Sequence, residues 1–419
     1  MRSNKTKKLR KVNGNTLIAA IDIGKKMNYG YFRAPDGRDI KPFGFFNLRN
    51  GFEFFWARLV EFKKEHDLED IVVGFESTGP YAEPMLHFLR GKKVRLVQTN
   101  PMHTKRLKEL TGNSPNKTDE KDPRVIADVI ALGHALTLVV PAGPAAELRR
   151  LSQARERSIK TRTSMSNQLQ HLLFVIFPEL CWTIRDMKSK SVLYLVENFC
   201  APESIVGMGI EALCAILKKT SRGKLGRDRA RRIFEAAQKS VGIREGKESI
   251  LLEINHLALN IRNEDRFIDN LESQMRHYLE QVPYSQSILS IKGIGEVTAA
   301  GLIGEVGDFR KFNTICEVMK LAGLDLYEIS SGRRKGQRRI SKRGRSYLRK
   351  ILFFAAINTV KKEGILYAQY QQMLGRGMPK IKALIAICRK VLRITFAIVR
   401  DNTVYASNYE HRGISKLAA

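Results

Sequence analysis

The chain has 419 residues, 43% of them hydrophobic, enough for two or three domains with buried cores. Its 73 Lys and Arg against 42 Asp and Glu leave a formal net charge of +31, an excess that repels itself and attracts polyanions. No apolar run is long enough to span a membrane, there is no amphipathic anchor, and the five cysteines show no metal-ligand spacing, so nucleic acid is the leading partner. The cysteines read as reduced thiols, and the basic start lacks a signal-peptide core, so the expected location is cytoplasmic.

Residues 1–15 read as a disordered basic arm. Leu17 to Ile21 is a buried strand, and Asn28 to Leu48 alternates around Pro35-Asp36-Gly37 as two strands joined by a turn. Phe52 to His66 is a helix with an aromatic face. Ile71 to Phe75 is a strand, Tyr81 to Arg90 a helix and Val94 to Val97 a strand. A loop over Gly112 to Asn116 leads to a helix from about Pro123. Two early strands followed by alternating α and β predict a mixed sheet carrying helices.

From Pro144 onward the pattern is almost wholly helical. Leu148, Leu151, Met165, Leu169, Leu172 and Ile176 fit a heptad that Arg155, Ser158 and Arg162 interrupt. Ile254, Leu257, Ile261, Ile268, Leu271, Met275, Tyr278 and Val282 form a cleaner seam, which predicts a coiled coil or an antiparallel helix pair. Between the two lies a helical insert around residues 185–245 with a strongly basic stretch from Arg222 to Arg232.

Three places carry chemistry. Asp22 ends the first strand, Glu76 ends the fourth, and Asp119 and Asp122 precede a helix. Cutting phosphodiesters with Mg²⁺ requires several carboxylates converging on the metal, and hard Mg²⁺ takes oxygen ligands. Pro123 also makes Asp122 an N-cap with proline at N1, which places Asp122 outside the helix. Glu83, Glu120 and Asp128 are acids nearby with no such role. Next, Ile288 to Gly295 followed by Val297, Ala299, Ala300, Leu302 and Ile303 has the pattern of a helix-hairpin-helix. There Lys292, Gly293 and Gly295 would offer charge and backbone N–H groups to a phosphate. Last, Ser330-Ser331-Gly332 opens a run that holds Arg333, Arg334, Lys335, Arg338, Arg339, Lys342, Arg343, Arg345, Arg349 and Lys350 and no acid. A guanidinium cluster would hold a phosphate and stabilise charge developing on it, and serine needs such help to act as a nucleophile. The bland alternatives are a turn at the serines and a solvated basic face.

These residues together resemble transposases of the insertion-sequence-110 family, the DEDD-type, bridge-RNA-guided recombinases. The matching segments are Ala20-Ile21-Asp22-Ile23-Gly24-Lys25, Gly74-Phe75-Glu76-Ser77-Thr78-Gly79-Pro80-Tyr81, and Asn116-Lys117-Thr118-Asp119-Glu120-Lys121-Asp122. The late match runs from Ile291-Lys292-Gly293-Ile294-Gly295 through Phe312 and Ala322-Gly323-Leu324 to Ser330-Ser331-Gly332 and Ser341-Lys342-Arg343-Gly344.

The resemblance implies an RNase H-like (RuvC-like) domain whose Asp22, Glu76, Asp119 and Asp122 bind Mg²⁺. It also implies a C-terminal serine, best matched by Ser331 with Ser330 as rival, that becomes covalently linked to DNA. The implied partners are donor and target DNA, a noncoding bridge RNA and further copies of the chain in a dimer or tetramer, with no membrane. The expected division is a basic arm (1–15), a RuvC-like domain (16–140), a helical or coiled-coil region with the insert (141–285) and a helical transposase domain with the hairpin and the serine (286–419). Two rival readings remain open: a hydrolytic endonuclease of the Holliday-junction-resolvase type using the carboxylates alone, and a non-enzymatic nucleic-acid scaffold.

Overall fold

The structure, a computed structural model, describes residues 12–76, 79–111, 121–138, 140–184, 189–328, 336 and 338–406. Internal contacts divide the chain into two units, one drawn from residues 1–142, 290–293 and 305–419 and the other from 143–289 and 294–304.

The first unit opens on a mixed six-stranded sheet. Its strands are β1 (Thr16–Asp22), β2 (Met27–Arg33), β3 (Phe43–Phe46), β4 (Asp70–Glu76), β5 (Arg95–Thr99) and β6 (Leu136–Thr137). They lie in the order β3-β2-β1-β4-β5-β6. β1 is antiparallel to β2 and parallel to β4, β4 is parallel to β5, and β5 is antiparallel to β6. Four helices accompany the sheet: α1 (Arg49–Glu65), α2 (Glu83–Arg90), α3 (Pro101–Thr111) and α4 (Lys121–Ala131). The arrangement is consistent with an RNase H-like domain.

β1 is central and buried on both faces, which explains its unbroken apolar reading. Alternation along it sorts two cores. Leu17, Ala19 and Ile21 face an aromatic layer that includes Phe32, Phe55 and Phe62, with Phe32 edge-on to Phe55 at 5.3 Å. Ile18 and Ala20 face the other way, with Val72 and Val97, against Ile126 and Ile130 of α4. Each Leu, Ile, Val and Phe side chain among these contributes roughly 1.5–3 kcal/mol when fully buried. Gly74 makes the α4 packing close: a Cβ there would lie 2.3 Å from the Ile130 side chain, so no larger residue lets the helix down onto β4.

Every strand and helix expected before residue 100 is present, with ends moved by a few residues. β6 was not expected; at two residues it is too short to leave a pattern. Helix α3 was not expected either. Its start is nevertheless written in the chain: Asn100 caps it, accepting from the Met102 N–H at 2.9 Å, and Pro101 opens it. The expected position of Asp122 needs correction. α4 begins at Lys121, so Asp122 lies in its first turn and not ahead of it. Pro123 is tolerated there because N–H groups of a first turn have no intrahelical partner to lose.

The second unit is helical: α5 (Pro144–Ile176), α6 (Pro178–Thr183), α7 (Lys190–Phe199), α8 (Pro202–Ser221), α9 (Arg227–Gln238), α10 (Lys247–Glu280) and α11 (Ser285–Leu289). α5 and α10 pack side by side and antiparallel. Arg155 pairs with Glu272 and Arg162 with Asp265, each at 2.6 Å, so a step up one helix matches a step down the other. Two of the residues that interrupt the first heptad therefore make ion pairs across the seam. α6 to α9 close a core with Leu173, Phe177, Leu193, Leu213, Leu217, Ile233 and Ile254.

α12 (Glu296–Val306) begins in the second unit and ends in the first. The first unit is completed by α13 (Ile315–Ala322), an antiparallel hairpin of β7 (Leu326–Tyr327) and β8 (Arg339–Ile340), α14 (Ser346–Thr359), α15 (Tyr367–Gly375) and α16 (Lys380–Asp401). The hairpin was not expected, but with two residues in each strand it leaves the described residues from Pro144 onward almost wholly helical, as the pattern implied. Among the described residues no single helix is long and apolar enough to cross a membrane.

Candidate active site

Asp22 and Glu76 are the last residues of β1 and β4, which run parallel with Ile21 opposite Phe75. The two acids therefore stand side by side at one end of the sheet. By alternation Asp22 shares a face with Ile18 and Ala20, and Glu76 with Val72, which is the face that α4 covers. The direction of α4 follows from its contacts. The Arg124 guanidinium lies 5.7 Å from the Tyr31 ring centre, and Tyr31 pairs with Ala20. Asp128 bonds Arg33 at 2.7 Å, and Arg33 pairs with Ile18. One turn along the helix thus corresponds to two residues back along β1. α4 runs against β1, and its first turn, with Asp122, lies toward the end where Asp22 stands. A carboxylate is favoured in that turn by the helix dipole.

The turn after Asp22 is tied down by amides. The Gly24 N–H donates to Asn28 Oδ1 at 3.1 Å, and fully buried Asn28 donates to Asn47. Asn47 Nδ2 in turn donates to the Gly24 and Tyr81 carbonyls, at 3.2 and 3.1 Å. Glu76 and Asp122 are held from α3, which leaves β5 at this same end of the sheet. The buried Thr104 hydroxyl donates to Glu76 Oε2 at 2.7 Å, and Lys108, one turn further along, pairs with Asp122. Beside Thr104, His103 packs edge-on to His134, with ring centres 5.7 Å apart. Burial, with the charges of His134, Arg343 and Arg106, holds its pKa below the usual imidazole value, and its Nδ1 is buried without a hydrogen-bond partner.

Among the described residues no three His, Cys, Asp or Glu side chains come close enough together to hold a metal ion. Asp119, the fourth acid of the expected set, lies outside the described residues. The donor chemistry of Asp22, Glu76 and Asp122 nonetheless fits a hard divalent cation: all are carboxylates, and Asp122 already takes a cationic partner. Of the other acids noted nearby, Asp128 is committed to Arg33, and Glu120 lies outside the described residues.

The late basic run is divided between structure and solvent. Ser330, Ser331, Arg333, Arg334 and Lys335 lie outside the described residues, in the segment between β7 and β8. Arg345 donates to the Glu305 carbonyl and faces its buried carboxylate at 3.9 Å. Arg349 donates to the carbonyls of Ala322 and Gly344, at 3.0 and 3.1 Å. Arg338 pairs with Glu328. Arg339, Lys342 and Arg343 are exposed, as is Lys292. In the glycine turn, Gly293 adopts φ +104° and lies against the Asn358 backbone, whereas Gly295 faces open space.

Comparison with known proteins gives matches to transposases. A DEDD transposase model of the IS110 family matches residues 19–178, and a model described as Transposase IS116/IS110/IS902 family matches residues 285–371. The 43.6 kDa protein of insertion element IS110 from Streptomyces coelicolor is 26% identical over 394 residues, 93% of this chain and 96% of its own. The chain belongs to the IS110 family of transposases. The transposase of IS1111A from Coxiella burnetii is 26% identical over 184 residues, 42% of this chain and 50% of its own. The pilin gene-inverting protein of Moraxella lacunata is 30% identical over 149 residues, 34% of this chain and 46% of its own.

The protein is thus a DNA transposase, an enzyme that binds DNA, and its DEDD match points to a divalent-metal requirement. Sequence reasoning missed Thr104 and Lys108 because it missed α3, and it missed Asn28 and Asn47 because lone amides leave no pattern. The Asn100-Pro101 pair was the available signal for α3.

Proposed function

We propose that this transposase cuts and rejoins DNA with a two-part site. Asp22, Glu76, Asp119 and Asp122 would hold Mg²⁺, which when bound polarises the scissile phosphate and stabilises charge on it. Ser331 Oγ is the nucleophile. Its bond to phosphorus forms as the bond from phosphorus to the leaving strand breaks, the serine proton goes to solvent, and the leaving oxygen takes one up. The phosphodiester is kept as a serine ester, so rejoining needs no outside energy source. Thr104 and Lys108 position Glu76 and Asp122. The exposed Lys292, Arg339, Lys342 and Arg343, with Arg333, Arg334 and Lys335, grip the DNA backbone. Gly293 and Gly295 shape a helix-hairpin-helix for the same purpose. Donor and target DNA are chosen by a noncoding bridge RNA, and the working form is a homo-oligomer, a dimer or tetramer, in which the α5–α10 pair serves as a coiled coil.

The observation that carries the carboxylate half is the placement of Asp22 and Glu76 on neighbouring parallel strand ends, on the face where α4 brings the turn bearing Asp122. The resemblance to a protein named for inverting a gene supports recombination over plain hydrolysis. The test is Glu76→Gln and Asp22→Asn. Each should lose Mn²⁺ binding, read by paramagnetic resonance, and lower DNA cutting by more than the roughly 100-fold that loss of an outer partner costs. Wild-type cutting by either variant overturns the assignment.

A further inference from the structure

The insert between the two family matches holds a cavity of about 510 Å³, within the roughly 300–1,000 Å³ range of small-ligand sites. Its floor is apolar: Ile184, Leu217 and Ile233 are buried there. Four cations line it, Lys190, Arg222, Lys224 and Arg229, with hydroxyls from Ser189 and Thr220 among them and no acid among the described lining residues. Lys190, Arg222 and Lys224 are exposed, while Arg229 is half-buried and donates to the Thr183 carbonyl at 2.6 Å.

Two features distinguish this cavity from an ordinary dent between helices. The chain from Lys218 to Arg232 carries eight Lys and Arg against one acid, and Arg222, Lys224 and Arg229 of these line the cavity. Arg222 also sits at φ +52°, a left-handed backbone that costs a non-glycine residue roughly 1–2 kcal/mol. That conformation ends α8 and sets a charged residue at the rim where glycine is the usual cap.

An apolar floor under a cationic rim suits a ligand with one flat apolar part and one anionic part. We propose that this cavity seats a single nucleotide of a single-stranded nucleic acid, its base on the floor and its phosphates against Lys190, Arg222 and Lys224. A paired strand cannot deliver a base this way, because its bases are stacked and hydrogen-bonded, whereas an unpaired strand can splay one out. The site therefore discriminates strandedness. It lies outside the segments matched by the family models and is independent of the cutting chemistry proposed above.

The test uses the full chain and short oligonucleotides, DNA and RNA, carrying 2-aminopurine, whose fluorescence rises when the base leaves its stack. Thr220→Trp fills the cavity without changing charge. The triple variant Lys190→Ala, Arg222→Ala, Lys224→Ala removes the rim and touches no buried residue, so it serves if the first variant misfolds. Thr220→Trp should abolish the fluorescence rise and weaken single-strand binding by about tenfold, leaving duplex binding unchanged. The triple variant should lower the salt slope for single strands by about 2. The tighter of the DNA and RNA probes identifies the natural strand. Unchanged single-strand binding by both variants, or an equal loss on duplex, overturns the proposal in favour of a plain basic face. A free mononucleotide binding as tightly as the strand overturns it in favour of a nucleotide site.

Discussion

At the carboxylate end of the sheet, Glu76 and Asp122 are met by a hydroxyl and an ammonium from α3. In the run from Gly332 to Lys350, Arg345 and Arg349 are met instead by main-chain carbonyls and a buried carboxylate. In sequence the late run is a uniform cluster of one charge, whereas the acids are scattered from Asp22 to Asp122. In each, members differ in what they touch: Asp128 is tied to Arg33 while Asp22 and Glu76 stand at the strand ends, and Arg345 and Arg349 brace the backbone while Lys342 and Arg343 face solvent. The lesson is that charge density marks one region and strand ends the other, while partners separate the residues that brace the fold from the rest.

Removing a member that braces the fold should cost stability, and removing one at the strand ends or its support should cost activity. The largest stability effect is expected at Arg345. Arg345→Ala removes the guanidinium that faces Glu305, whose side chain is 3% exposed, and should destabilise the protein by about 3 kcal/mol, read by denaturant unfolding. A loss confined to DNA affinity would reverse that placement.

Next is Thr104, whose hydroxyl orients Glu76. Thr104→Val keeps shape and burial but removes the donor, and should slow DNA cutting by about tenfold under saturating Mg²⁺. Thr104→Ser should restore most of the rate, which a purely structural residue would not predict.

The smallest effect is expected at Asp128. Its bond to Arg33 is partly solvated, with side-chain exposures of 35% and 22%, so Asp128→Asn should cost only about 0.5 kcal/mol and leave cutting intact. A large loss of cutting would place Asp128 among the acting acids.

The sheet was legible because β1 and β4 are buried runs that each end in an acid, and because the aromatic alternation around Pro35-Asp36-Gly37 marks a strand pair. The site was legible only in part. Asp22 and Glu76 could be named from strand ends, but their nearness depends on β1 pairing with β4 across a long connection. Thr104 and Lys108 were hidden because α3 is polar enough to pass for loop. The β7–β8 hairpin was hidden because two-residue strands inside a basic run carry no period. Nor could the division of the arginines be read, since Arg345 and Arg349 differ from Arg343 only in what they touch.

The central claim, that cutting passes through a serine ester beside a carboxylate site, is tested most directly by a denaturing gel. Wild type, Ser330→Ala and Ser331→Ala are each incubated with DNA, the proposed bridge RNA and Mg²⁺. The account predicts a protein–DNA adduct with wild type and Ser330→Ala and none with Ser331→Ala. DNA cut without any adduct, and cut equally by Ser331→Ala, would contradict it and assign the chemistry to the carboxylates and water.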